Sequence, residues 1–125
     1  LPKMIPFAQI VNRWTATSVA PMYVGAIPEG LLPPYAALNV VQSNQVTLSG
    51  NAILWTESLL QLSVAHTTLA DCESLASIAI QTYDRTKFEG VADMTLLNRA
   101  TSYSEQPNLT GNRIWTATLE FRVRH

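Results

Sequence analysis

The chain has 125 residues, of which 47% are hydrophobic and only 14% charged, and its net charge is −1. That length fits one domain with one core, and the near-zero charge excludes the basic stripe with which a dedicated nucleic-acid binder displaces counterions from phosphates. So small a charged fraction, against roughly 25% in an ordinary soluble domain, leaves a surface poor in charge and favours a protein that covers part of itself with partners.

Cys72 is the single cysteine, so neither an internal disulfide nor a thiolate metal site is available, and an intracellular origin is the default expectation. The apolar start, residues 1–7, is broken by Pro2 and Pro6 and lacks the long run of a signal peptide or spanning helix. A soluble chain without membrane association is expected.

In residues 6–16, Phe7, Ile10, Val11 and Trp14 recur at i, i+3, i+4 and i+7, which predicts a short amphipathic helix opened by Pro6. Four prolines and two glycines then make residues 19–34 a loop, with a short extended piece over residues 22–27. Residues 35–43 lack breakers and are rich in Val, Leu and Tyr, so they predict a strand, and residues 44–51 a polar connection. Residues 53–66 predict a second strand, with Leu54, Leu60, Leu62 and Val64 on one parity and Glu57, Gln61 and Ser63 on the other.

Thr68 and Asp71 resemble a capping box with Asp in place of Glu, and Cys72, Leu75, Ala76, Ala79, Ile80 and Tyr83 follow at helical spacing to about Asp84. After a polar turn through Gly90, residues 91–101 predict a strand whose alternation is imperfect around Leu96 and Leu97. Residues 102–112 read as a loop, long for a hairpin. The last strand alternates most cleanly, with Trp115, Ala117, Leu119, Phe121 and Val123 against Thr116, Thr118, Glu120, Arg122 and Arg124. The expected class is α+β: a mostly antiparallel sheet of four to five strands, one main helix packed on it and a short N-terminal helix, in a single domain over residues 1–125.

Candidate chemistry is sparse. His66 and His125 have no partners at zinc spacing, and the five glycines are too scattered for a phosphate loop. Cys72 falls on an apolar helix face, where cysteine behaves as a small hydrophobe. Asp71 and Glu73 sit in the first turn of a helix, where they complement its dipole. Asn108-Leu109-Thr110 matches a glycosylation acceptor and reads as loop sequence. No catalytic residue, cofactor site or metal site is assigned. Arg99, Arg113, Arg122 and Arg124 all fall on the last two strands, and Arg122 and Arg124 share the outward parity of Glu120. A solvated sheet face and an intersubunit contact both account for them. Trp55 has the parity opposite to Leu60 and Leu62 and is exposed unless a partner or the first helix covers it.

Several stretches together resemble the tail-terminator or tail-completion (head-tail joining) proteins of long-tailed bacteriophages. They are the N-terminal helix, Ala26-Ile27-Pro28 leading to Pro34-Tyr35-Ala36-Ala37-Leu38-Asn39-Val40-Val41, and the strand through Trp55-Thr56-Glu57-Ser58. The helix Ala70-Asp71-Cys72-Glu73-Ser74-Leu75-Ala76 and the last strand, from Trp115 to Val123, complete the likeness, which spans nearly the whole chain through element order rather than invariant chemistry. It implies a virion structural protein of the tail-neck region, assembled in the host cytoplasm. Such a protein forms a ring, usually of six copies, that caps the tail tube, ends its polymerisation and docks to the head connector. The implied partners are copies of the chain, the tail tube protein and head connector proteins, with DNA passing through the lumen without sequence-specific contact. On this likeness, Glu120, Arg122 and Arg124, with Arg99, Arg113 and Trp55, lie at subunit or partner contacts. Residues 44–51 and 102–112, with Asn51 and Asn108, contact the tube or connector.

Two alternatives stay open. One is a small ferredoxin-like ligand-binding or enzymatic domain using His66 with Asp93 or Glu57; the other is a different connector-region or phage-like assembly subunit.

Overall fold

The alternation in the last strand, matched against the parity of residues 53–66, sets the architecture. The computed structural model describes residues 5–17, 19–25, 27–28, 33–47, 53–105 and 113–125. Its elements run α1 (Phe7–Thr15), β1 (Met22–Val24), β2 (Tyr35–Thr47), β3 (Ile53–His66), α2 (Leu69–Tyr83), β4 (Thr86–Phe88), β5 (Val91–Glu105) and β6 (Arg113–Arg124). They build one six-stranded sheet in the order β1-β2-β3-β6-β5-β4. All neighbours are antiparallel except β1 and β2, which are parallel.

The α+β class stands, but the sheet has six strands rather than four or five. The short extended piece expected within residues 22–27 is β1, and the added strand is β4; each is three residues, too short to carry an alternation. Two segments expected as connections are in part strand. β2 continues through Thr47, and β5 continues to Glu105 opposite Arg113. The remainders of those connections lie outside the described residues. The imperfect alternation near Leu97 has a structural cause: Leu96 pairs with Phe121 and Asn98 with Glu120, so Leu97 is the extra residue of a bulge. Val41 plays the same part on β2, between Val40 and Gln42.

Leu60, Leu62 and Val64 of β3 lie opposite Phe121, Leu119 and Ala117 of β6, and all six are fully buried. α2 closes this face with Cys72, Leu75, Ala76 and Ala79. Its start is fixed as expected, since the Thr68 hydroxyl accepts the Asp71 amide proton at 3.2 Å. The Asp71 carboxylate does not complete a reciprocal box; it lies 3.8 Å from His66 Nδ1. Of the four residues its periodicity singles out, α1 buries Ile10 and Trp14 on the same core, with Phe7 and Val11 half-buried.

Tyr83, at the end of α2, joins these layers. Its hydroxyl donates to the Ile10 carbonyl at 2.5 Å, its ring stacks with Trp14 at 6.4 Å, and it meets Phe121 edge-on at 6.0 Å. Arg13 adds to the seam, donating to the Thr82 carbonyl at 2.6 Å and lying 4.9 Å over the Phe88 ring. Gly90 makes the β4–β5 turn at φ +80°, and a Cβ there would come within 3.1 Å of Pro6, so α1 also leans on this turn.

Burial pushes the Tyr83 phenol above its ordinary range. Folding therefore favours the neutral phenol, and this contribution is complete below the unfolded-state value of about 10 and lost as pH rises beyond it. Tyr83→Phe should cost about 1 kcal/mol in urea unfolding at neutral pH through the lost hydrogen bond. The variant should also lose less stability than the parent above about pH 10. Equal losses in the two proteins would show that another group carries the alkaline sensitivity.

Candidate assembly surface

With one face of the sheet closed by helices, three surfaces remain: the opposite face and the two outer edges. The open face carries the polar parity of β3 and β6 over most of its length, although at one end Ala37, Ala65 and Ile114 share that parity and are buried. Arg124 lies between Glu57 and Asp93, Arg122 between Leu59 and Thr95, and Glu120 between Gln61 and Asn98. The Arg122 guanidinium reaches Glu57 of the same chain at 3.5 Å, so this arginine has an acidic partner without a neighbouring subunit.

Arg99 does not join that group. The bulge at Leu97 shifts parity, so Arg99 lies opposite Leu119 on the helix side, where it pairs with Glu73, and Glu73 also accepts from Thr101 at 2.9 Å. Glu73 therefore binds α2 to β5, a role its position near the start of the helix does not disclose. Arg113 and Trp55 sit on β6 and β3 opposite Glu105 and Val46, and their side chains fall outside the described part of the structure. Asn51 and Asn108 lie outside the described residues.

The groups invoked for an enzymatic alternative are kept apart. His66 is at one end of β3, opposite Trp115, while Glu57 is nine residues away beside Arg124, whose other neighbour is Asp93. At about 3.3 Å per residue that is roughly 30 Å. Cys72 is fully buried, and desolvation pushes its thiol up, which disfavours a thiolate. Among the described residues no three His, Cys, Asp or Glu side chains gather to hold a metal ion.

His125 does have a structural place. Its backbone exchanges two hydrogen bonds with Thr56, at 2.9 and 3.0 Å, and extends the β3–β6 ladder past Arg124. Its Nε2 lies 2.9 Å from the buried Ser58 hydroxyl, which lies 3.0 Å from the Ser43 hydroxyl. This cross-strand polar chain fills the end of the core where the apolar parity of β3 lapses at Thr56 and Ser58.

The edges were not legible as a site from the sequence. β1 pairs only with residues 36–38 of β2, and β4 covers β5 only as far as Met94, after which the Asp84 carboxylate accepts the Leu96 amide proton at 2.9 Å. Beyond these points, residues 39–47 of β2 and 97–105 of β5 have no outer partner strand among the described residues. Exposed Val40 and Val41 stand at the start of the first uncovered run and exposed Leu97 at the start of the second. Natural edges are usually blunted by charge, proline or short length. Residues 39–47 contain no charged residue and no proline.

A likeness to a solved structure bears on this arrangement. The chain shares its fold with a chain of a structure described as the virion of a native gene transfer agent particle, with 14% sequence identity and a TM-score of 0.57 over 94% of this chain and 93% of that one. No family model matches the sequence, and neither does any curated protein.

Adjacent positions on β3 separate the latch from the open face. Ser58→Ala removes both hydroxyl contacts of a buried residue and should cost about 1–3 kcal/mol in urea unfolding. Glu57→Ala removes a partly exposed ion pair and should cost less than about 1 kcal/mol. The opposite ranking would mean that the ion pair, not the Ser43–Ser58–His125 chain, holds the end of the strand.

Proposed function

We propose that this chain is a virion structural protein of a phage-like particle, acting in the neck at the head-tail junction as a tail terminator. Copies form a ring of six that caps the tail tube, ends its polymerisation and docks to the head connector. The observation that carries the reading is the fold shared over 94% of the chain with a component of a gene transfer agent virion. A second feature supports it. A ring needs heterologous contacts between two different patches of each subunit, and the uncovered runs of β2 and β5 lie on opposite sides of the sheet.

The partners in this proposal are further copies of the chain, the tail tube protein and head connector proteins, with assembly in the host cytoplasm. DNA passes through the lumen, to which the open face turns. There Arg122 and Arg124 stand among Glu57, Asp93 and Glu120, so sliding phosphates meet both signs of charge rather than a basic grip. The hairpin ends within residues 44–51 and 102–112, with Asn51 and Asn108, contact the tube or connector. Arg99, Arg113 and Trp55 lie near subunit contacts. The role is structural, without catalysis or a cofactor. Among the described residues no helix is long and apolar enough to cross a membrane.

Electron microscopy and native mass measurement across a concentration series test the reading. The expected outcome is a ring of six copies. A monomer or dimer at every concentration, holding a bound metabolite, would overturn it. Replacing residues 106–111 with a short glycine-serine linker should leave rings intact and abolish attachment to tails; unchanged attachment would remove that hairpin end from the docking surface.

A further inference from the structure

We propose that neighbouring copies join edge to edge, the uncovered run of β2 in one subunit pairing antiparallel with the uncovered run of β5 in the next, so that the ring contains one continuous sheet. This inference rests on the ring reading above and specifies its contact.

The direction of the backbone groups can be read from the hydrogen bonds. Thr56 exchanges both backbone bonds with His125, so even-numbered residues of β3 point toward β6 and odd-numbered ones toward β2. Their partners Gln42 and Asn44 then point inward to Leu59 and Glu57. Ser43, Gln45 and Thr47 point their amides and carbonyls outward. On β5, Asn98, Ala100, Ser102 and Ser104 lie opposite Glu120, Thr118, Thr116 and Ile114, the even-numbered residues of β6, which face β5. Arg99, Thr101 and Tyr103 therefore point outward. Among the described residues the Arg99 amide is met by the Asn98 side chain, at 2.8 Å, a local substitute for a ladder bond.

The two runs also fit each other. Each is nine residues long, residues 39–47 and 97–105. β2 and β5 run in opposite directions within the sheet, so side-by-side copies bring them together antiparallel. Aligning the midpoints sets Ser43 opposite Thr101. Both point backbone groups outward, and both have helix-face parity, since they lie opposite Ser58 and Ala117. The joined sheet then keeps all helices on one side, as a continuous two-faced sheet requires.

The geometry closes as well. Ser43 is level with Ser58, while Thr101 is level with Ala117 and hence Val64, six residues further along β3. Six residues at about 3.3 Å give a step of roughly 20 Å per subunit, and four full-length strands at about 4.8 Å give a width of roughly 19 Å. A step equal to the width means strands tilted about 45° to the ring axis, at the upper end of the ~35–45° that closed barrels adopt. That tilt does not depend on the number of copies. The edge that lacks charge and proline is thus not left open; closure removes it.

Residue-resolved amide hydrogen exchange on the full chain, compared with dilute monomer, tests the proposal, with sedimentation reporting assembly independently. On assembly the amides of Ser43, Gln45, Thr47, Arg99, Thr101 and Tyr103 should slow by about a hundredfold or more, while inward Gln42, Asn44, Ala100 and Ser102 are protected in both states. Gln45→Pro, which removes one outward amide and no internal ladder bond, should weaken assembly at least about tenfold while Gln45→Ala does not. Rings whose outward amides exchange as fast as in the monomer, or that form normally with Gln45→Pro, would overturn the edge pairing and leave the ring reading standing. A chain that stays monomeric at every concentration would overturn both.

Discussion

The register between β3 and β6 is the constraint on which the rest of this molecule depends. Its ten residue pairs, from Glu57 opposite Arg124 to His66 opposite Trp115, are among the described residues the only strand pairing between the first three strands in sequence and the last three. Even-numbered β3 residues from Leu60 to Val64 and odd-numbered β6 residues from Ala117 to Val123 are apolar together, so a slip by one position would turn one set toward water. Leu60, Leu62, Val64, Leu119 and Phe121 are fully buried. Each contributes about 1.5–3 kcal/mol by burial, a sum comparable with the ~5–15 kcal/mol net stability of a domain. The His125–Ser58–Ser43 chain then closes the end of that ladder with hydrogen bonds where apolar residues run out.

That register also determines where each edge is left open. β1 covers the part of β2 level with residues 62–64 of β3, while β4 covers the part of β5 beside residues 123 and 124 of β6, at the other end of the sheet. The uncovered runs are consequently diagonal to one another. Both bulges, at Val41 and Leu97, lie near the level of the Leu60–Phe121 pair, just beyond the points where the short outer strands end. Bulges re-aim a strand and increase its local twist, so each outer strand changes course as it leaves its own partner. Asp84, at the end of α2, accepts the last covered amide of β5, that of Leu96.

The core was readable in the residues and the edges were not. The spacing of Ile10 and Trp14, the Thr68 cap, and the alternation from Trp115 to Val123 each follow from a local pattern, and each has the place that pattern implies. β4 escaped because three residues cannot display a period, and for the same reason β1 was legible only as an extended piece within residues 22–27. The polar runs after Ser43 and Thr101 read as loops because Asn, Ser and Gln are common in loops, yet their backbones pair along β3 and β6. The arginines of the last two strands look like one group in sequence. The bulge at Leu97 divides them, leaving Arg122 and Arg124 on the open face and Arg99 with Glu73 on the other. Which backbone amides point outward is a property of pairing, and no side-chain pattern encodes it.

The scarcity of charge takes on a different meaning once its distribution is known. Were it a general feature of an apolar chain, every exposed surface would share it. The open face does not: it carries Arg122 and Arg124 with Glu57, Asp93 and Glu120, alternating in sign across three neighbouring strands. The start of α2 also carries charge, in Asp71 beside His66 and Glu73 beside Arg99. Residues 39–47 carry none, although Val40 and Val41 are among the more exposed aliphatic side chains described. A lone chain would need protection most along that edge, because unpaired backbone groups there template association with any extended strand. Charge is thus placed where the surface stays wet and withheld from the uncovered run of β2, which distinguishes a surface kept in solvent from an edge left fit to pair.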